Sequence, residues 1–145
     1  MRFFSLLLLL GLLVSCDSKK KESVHTSNSE KVYDLYEPSE MSLLMNEMYD
    51  IQEKIKNDIL NEIPLEQFPE SFLEIHSAEL SDFKGRNQNF EAFSHLFVER
   101  VEFLFDETSE VSLKQRYNDV VNLCISCHQT ECSGPIPRIQ KLLIK

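Results

Sequence analysis

The residues best suited to chemistry are gathered in NLCISCHQTECSGPIPRIQKL, residues 122–142, which holds three of the four cysteines and one of the four histidines. Its core is Cys124-Ile-Ser-Cys127-His128. On a helix, cysteines three positions apart lie about one turn apart, so both thiols face the same side. A c-type haem is held in this way: two thioether bonds join cysteines to the porphyrin vinyl groups, and the following histidine ligates the iron. Two other chemistries use the same residue types. A zinc site would draw on Cys124, Cys127, His128 and Cys132. Adjacent ligands at 127 and 128 make poor tetrahedral geometry, however, and structural zinc usually gathers two separated pairs. A thioredoxin-like redox pair needs a preceding strand in a βαβ context, and neither is visible. The spacing therefore favours one covalently bound haem c, with zinc or a redox pair as the alternatives.

The elements that must position this motif are helical. After Pro38, MSLLMNEMYDIQEKIKNDILNEI places Met41, Leu44, Met45, Met48, Ile51, Ile55, Ile59 and Ile63 at intervals of mostly three and four. This predicts an amphipathic helix of about six turns, opened near Pro38 and stopped by Pro64. Pro69 reopens a second helix in PESFLEIHSAELSDF, with Phe72, Ile75, His76 and Leu80 on adjacent turns, broken at KGRNQ. A third runs through NFEAFSHLFVERVEFLF, its apolar face carrying Phe90, Phe93, Phe97, Val101 and Leu104. An aromatic stripe at this spacing is read as core. The fourth runs through VSLKQRYNDVVNLCISCHQ, with Leu113, Tyr117, Val120, Cys124 and Cys127 on one side. Short connections between four such helices predict an all-α, antiparallel four-helix bundle (up-down-up-down). Gly134, Pro135 and Pro137 end helix four, so the rest is expected to pack back as a C-terminal tail with a short last helix.

In such a bundle the start of helix one and the end of helix four lie at the same end. A thioether from Met41, Met45 or Met48 can then face an iron from the side opposite His128. Each of these methionines is equally an ordinary core filler. His76 and His95 also reach towards that end, which admits His76 as a sixth ligand. A half-buried histidine bonded to a neighbour is the simpler account of it. His25 falls in a polar stretch and is expected to be inert. Cys132 is expected as a buried small residue of the tail, with a bridge between two copies in a homodimer as the alternative.

A four-helix pattern with CxxCH near the end of its last helix resembles the class II c-type cytochromes, the cytochrome c-prime group and its six-coordinate relatives. The likeness covers about Ser39 to His128. It implies a monohaem electron carrier, not an enzyme, with the iron held by His128 and by a methionine early in helix one, inside a Leu-Met pair. Here that pair is Leu44-Met45, with Met48 one turn later as the reserve. Five-coordinate members of the group bind gases instead. The class often has an aromatic and an arginine soon after the haem histidine; QTECSGPIPRI follows here, so the tail and Cys132 lie outside the resemblance.

The rest of the chain bears on where this chemistry would take place. MRFFSLLLLLGLLVSC opens with one positive charge, Arg2, and an apolar run from Phe3 to Val14, too short to span a bilayer comfortably. Residues 1–15 read as a signal peptide, and Leu13-Val14-Ser15-Cys16 resembles a bacterial lipobox. That implies cleavage before Cys16 and its lipidation, anchoring an exported protein to a bacterial membrane, facing the periplasm or the cell exterior. Residues 16–37 are polar and rich in Ser and Lys, and are expected to be a flexible tether that spans roughly 25 Å. Residues 38–145 then form the haem-binding domain. The chain is acidic, with a formal charge of −9, which lacks the electrostatic footprint of nucleic-acid binding; it suits a basic redox protein partner and equally a solvated surface that keeps the protein soluble.

Overall fold

The structure is a computed structural model that describes residues 37–81 and 85–145. The leader, Cys16 and all of the expected tether except Glu37 lie outside the described residues. Among the described residues every regular element is helical: α1 (Glu40–Leu60), a 3₁₀ helix (Glu70–His76), α2 (Gln88–Leu104), α3 (Leu113–Glu131) and a short α4 (Ile136–Ile139) that runs into a 3₁₀ turn at Gln140–Leu142. None of these helices is long and apolar enough to cross a membrane.

Each long helix starts on a side-chain cap. Ser39 Oγ accepts the Ser42 N–H at 3.3 Å, Asn87 Oδ1 the Phe90 N–H at 2.8 Å, and Ser112 Oγ the Gln115 N–H at 3.3 Å. Each bond satisfies a first-turn donor that has no partner within the helix. α1 begins at Glu40, so Pro38 precedes the cap and does not occupy the first turn. It also ends before the last apolar residue of its pattern: Asn61 closes it, Glu62 takes a positive φ of 57°, and Ile63 is exposed.

The predicted second helix is replaced by seven residues of 3₁₀ helix. Its buried residues are Phe72 and Ile75, followed by Ala78, three positions apart each time. That spacing matches the three-residue turn of a 3₁₀ helix better than an α-helical stripe. Arg86 then holds the end in place, donating to the carbonyls of Ile75 at 3.0 Å and Ala78 at 2.7 Å. Residues 78–81 are pinned to the start of α1: Met41 N–H donates to Glu79 O at 3.0 Å, and Glu79 N–H donates to Glu40 Oε2 at 2.9 Å.

α3 runs antiparallel to both α1 and α2. At one end of the α2–α3 pair, Asn89 Nδ2 donates to Thr130 Oγ1 at 2.9 Å. At the other, Arg116 near the start of α3 bonds the carbonyls of Phe103 and Leu104 at 2.9 and 2.8 Å. Against α1, the buried Tyr117 hydroxyl donates to Gln52 O at 3.0 Å. Burial pushes the Tyr117 phenol up, so it stays a neutral donor. The core between these helices holds Leu44, Met48 and Ile55 from α1, Phe97, Val101 and Leu104 from α2, and Tyr117, Val120 and Val121 from α3. The tail does pack back, with Ile139, Leu142 and Ile144 all buried. Arg138 clamps it to α1 by a 2.7 Å bond to Asn46 Oδ1 and by lying 3.8 Å over the Tyr49 ring.

Candidate cofactor site

Cys124, Cys127 and His128 occupy the last two turns of α3, all half-buried. Cys132 ends that helix. Its N–H donates to His128 O at 3.2 Å, and its carbonyl lies 2.8 Å from His128 Nδ1. A carbonyl only accepts, so Nδ1 carries a proton, and in the neutral ring Nε2 then keeps its lone pair. The backbone turn at Cys132 therefore fixes both the tautomer and the ring of His128, as a supporting acceptor does for a ligating histidine. The Cys132 side chain itself is exposed, contrary to the buried position expected of it. The helix has already turned away there, and Gly134 and Pro135 carry the chain into the tail.

Three adjoining cavities surround the motif. One of 170 Å³ lies between α1, α3 and the tail, with Met45, Met48, Cys124 and Arg138 in its walls. One of 320 Å³ runs between the start of α1, Leu80, Ser81 and Gly85, and the end of α3, past Met41, Phe90 and Cys127. A small one of 40 Å³ lies among the three long helices, against Phe93, Phe97, Cys124 and Cys127. Met45 and His128 line all three. Met48 lines two, and Met41 one. His76 lines none of them; it sits against α2, bonded to Ser94. Phe93 of the aromatic stripe is only half-buried and belongs to the site wall, while Phe90 and Phe97 are both core and wall.

Burial pushes the Cys124 thiol up to about 12, with Cys127 beside it adding to the shift. Cys127 is pushed up to about 11, again chiefly by burial and secondarily by Glu131. These are neutral thiols, the opposite of the lowered pKa that marks a redox dithiol. Nor do the four zinc candidates converge. Among the described residues, the ligand atoms that lie within 4.8 Å of one another in a set of three belong to His76, Glu91 and His95.

Sequence periodicity missed Gln52. It is 3 % exposed and helps line the 170 Å³ cavity, and neither its Oε1 nor its Nε2 has a hydrogen-bond partner. A buried amide left without partners costs about 1–3 kcal/mol per unsatisfied group, so such a side chain points to a polar group that completes the cavity. In the sequence, the only signal was a polar residue in the core stripe of α1, at the i+4 position from Met48. Compared with protein-family models, with curated proteins and with solved structures, the chain matches none.

Proposed function

We propose that this chain is a membrane-tethered, monohaem c-type cytochrome of the class II kind, a carrier of single electrons. The observation that carries the proposal is the convergence of Met45 and His128 on every cavity that borders the Cys124–Cys127 pair. A mostly apolar space with two neutral thiols, a pre-oriented imidazole and a thioether in its walls suits covalent haem attachment with axial His and Met donors. Cys124 and Cys127 would form the thioethers, and His128 Nε2 and the Met45 thioether would hold the iron, with Met48 in reserve. The unpartnered Gln52 amide and the Arg138 guanidinium would receive polar or anionic edges of the group. Haem bound in this way supplies a one-electron iron couple, which a Met/His pair raises in potential while leaving no open position for a substrate.

The framework is read as an up-down-up-down four-helix bundle in which the second helix is reduced to the 3₁₀ segment. The parallel course of α1 and α2, with α3 antiparallel to both, supports that reading. Lipidation at Cys16 would anchor the domain to a bacterial membrane facing the periplasm or exterior, and a basic redox protein would be its partner. The exposed Cys132 thiol makes a bridge between two copies accessible.

The test is covalency. Thioether bonds survive denaturation, so the band on a denaturing gel should keep haem peroxidase activity, and Cys124→Ala with Cys127→Ala should abolish it. A folded, haem-free product from a host with working attachment machinery would overturn the proposal.

A further inference from the structure

We propose that His76, Glu91 and His95 form a binding site for a divalent transition-metal ion, held by three protein ligands with the remaining positions open to water. His76 closes the 3₁₀ helix, while Glu91 and His95 stand four positions apart on α2, on one face of it. Their ligand atoms lie within 4.8 Å of one another. Nitrogen and oxygen ligands at about 2.0–2.2 Å in tetrahedral geometry are roughly 3.3 Å apart, so the three need to draw in by at most about 1.5 Å. His95 is exposed and Glu91 half-buried, which leaves both side chains room to do so.

A second observation points to the same ligand role. Ser94 is 1 % exposed, and its hydroxyl proton goes to the Glu91 carbonyl at 2.9 Å. Towards His76 Nδ1, 3.3 Å away, Ser94 Oγ is therefore an acceptor. In the neutral ring, Nδ1 bonded in this way carries the proton and Nε2 keeps its lone pair, the tautomer and support that a metal-ligating histidine requires. The His76 and His95 rings lie 4.6 Å apart between centroids and 33° from parallel, close enough for both to reach one ion. The ion pair that Glu91 makes is a long one. Arg86 Nη1 is 3.9 Å from its carboxylate, and the two guanidinium nitrogens instead make their short bonds to the Ile75 and Ala78 carbonyls. Those same bonds hold the end of the 3₁₀ helix, and with it His76, against α2. Two imidazoles and one carboxylate select zinc, copper or nickel over magnesium or calcium. None of the three ligands lines the cavities around Cys124–His128; Ser94 borders the 40 Å³ one, so the site adjoins the proposed haem without sharing a ligand with it.

Calorimetric titration of tag-free protein, purified as it exists and freed of metal by chelation, should find one saturable Zn²⁺ per chain. His76→Ala and His95→Ala should each weaken binding by about tenfold or more, and Glu91→Gln should weaken it by less. Ser94→Ala should weaken it while leaving the stoichiometry at one. Cys132→Ser and His25→Ala should change nothing. Because His95 is exposed, its variant reads the site even where His76→Ala disturbs the fold. Absence of saturable binding, or binding that survives His95→Ala and is lost with Cys132→Ser, would overturn the proposal. The outcome is read from zinc alone and does not depend on whether haem is present.

Discussion

Met45 and Met48 stand about 60° apart around the axis of α1, so only one can face an axial position squarely. Met48 is buried in the core and borders two of the cavities, whereas the half-buried Met45 borders all three. Oxidised protein is therefore expected to show the weak near-infrared charge-transfer band of Met–Fe(III) ligation. Met45→Ala should remove it and Met48→Ala should keep it. Loss with Met48→Ala alone would reassign the ligand. A parent protein without the band, whose reduced iron takes up carbon monoxide readily, would favour the five-coordinate gas-binding alternative. The cysteines allow a separate test in haem-free chains. With Cys124 pushed up to about 12, its thiolate fraction at pH 8 is roughly one in ten thousand. In a Cys16→Ser background, a thiol reagent at pH 8 should label the exposed Cys132 quickly and Cys124 and Cys127 slowly. The sign for stability follows. The folded chain holds these protons more tightly than an ordinary thiol of 9.0 does. Stability of the haem-free fold should therefore be intact below about pH 9 and fall as the pH rises towards 11 and 12, measured as the urea midpoint.

At the scale of elements, Arg116 ties α2 to α3. It is only 7 % exposed, and its guanidinium donates to the carbonyls of Phe103, Leu104, Asp106 and Val111 at 2.7–3.0 Å. Three of these acceptors end α2 or follow it, and the fourth precedes α3; Phe103 O and Asp106 O also accept the N–H groups of Asp106 and Ser109, each at 3.3 Å. Arg116→Ala would take a donor from all four and leave two of them still bonded to backbone N–H groups, at an expected cost of about 2–3 kcal/mol in denaturant unfolding. Arg116→Lys should recover little, since an ammonium lacks the planar fork that reaches several carbonyls at once. A loss below about 1 kcal/mol would mean that water replaces the guanidinium there. The same logic sets the weaker 3₁₀ element: its carbonyls depend on Arg86, a residue from beyond the segment itself.

At the scale of the whole molecule, the proposed role rests on the acidic surface and the leader. A chain with a formal charge of −9 is expected to meet a basic redox partner by electrostatic steering, so the rate of electron transfer to such a partner should fall as salt rises. A rate indifferent to ionic strength would leave the charge to a solubility role. Anchoring is tested by fractionation. Cys16→Ala should leave the protein soluble or unprocessed, and Cys132→Ala should leave it in the membrane fraction. A correctly cleaved Cys16→Ala protein that still sediments with membranes would remove the lipid anchor from the account.

What the sequence determined by itself was local. The CxxCH spacing and the apolar periods of three long helices are properties of neighbouring residues, and they are legible without a fold. The second helix was misread because Phe72 and Ile75 fit an α-helical stripe as well as a 3₁₀ one, and only the burial of Ala78 brings out the three-residue repeat; Arg86, which bonds the end of the segment, meets it only in space. Tertiary structure alone decided that Met45 shares its cavities with His128, that the Gln52 amide lies among apolar walls without a partner, and that His76 stands beside Glu91 and His95. Each joins segments separated by 15 or more positions in the chain. Their proximity is set by how helices pack, and hydrophobic periodicity reports only which face of a helix is covered, not which side chain covers it.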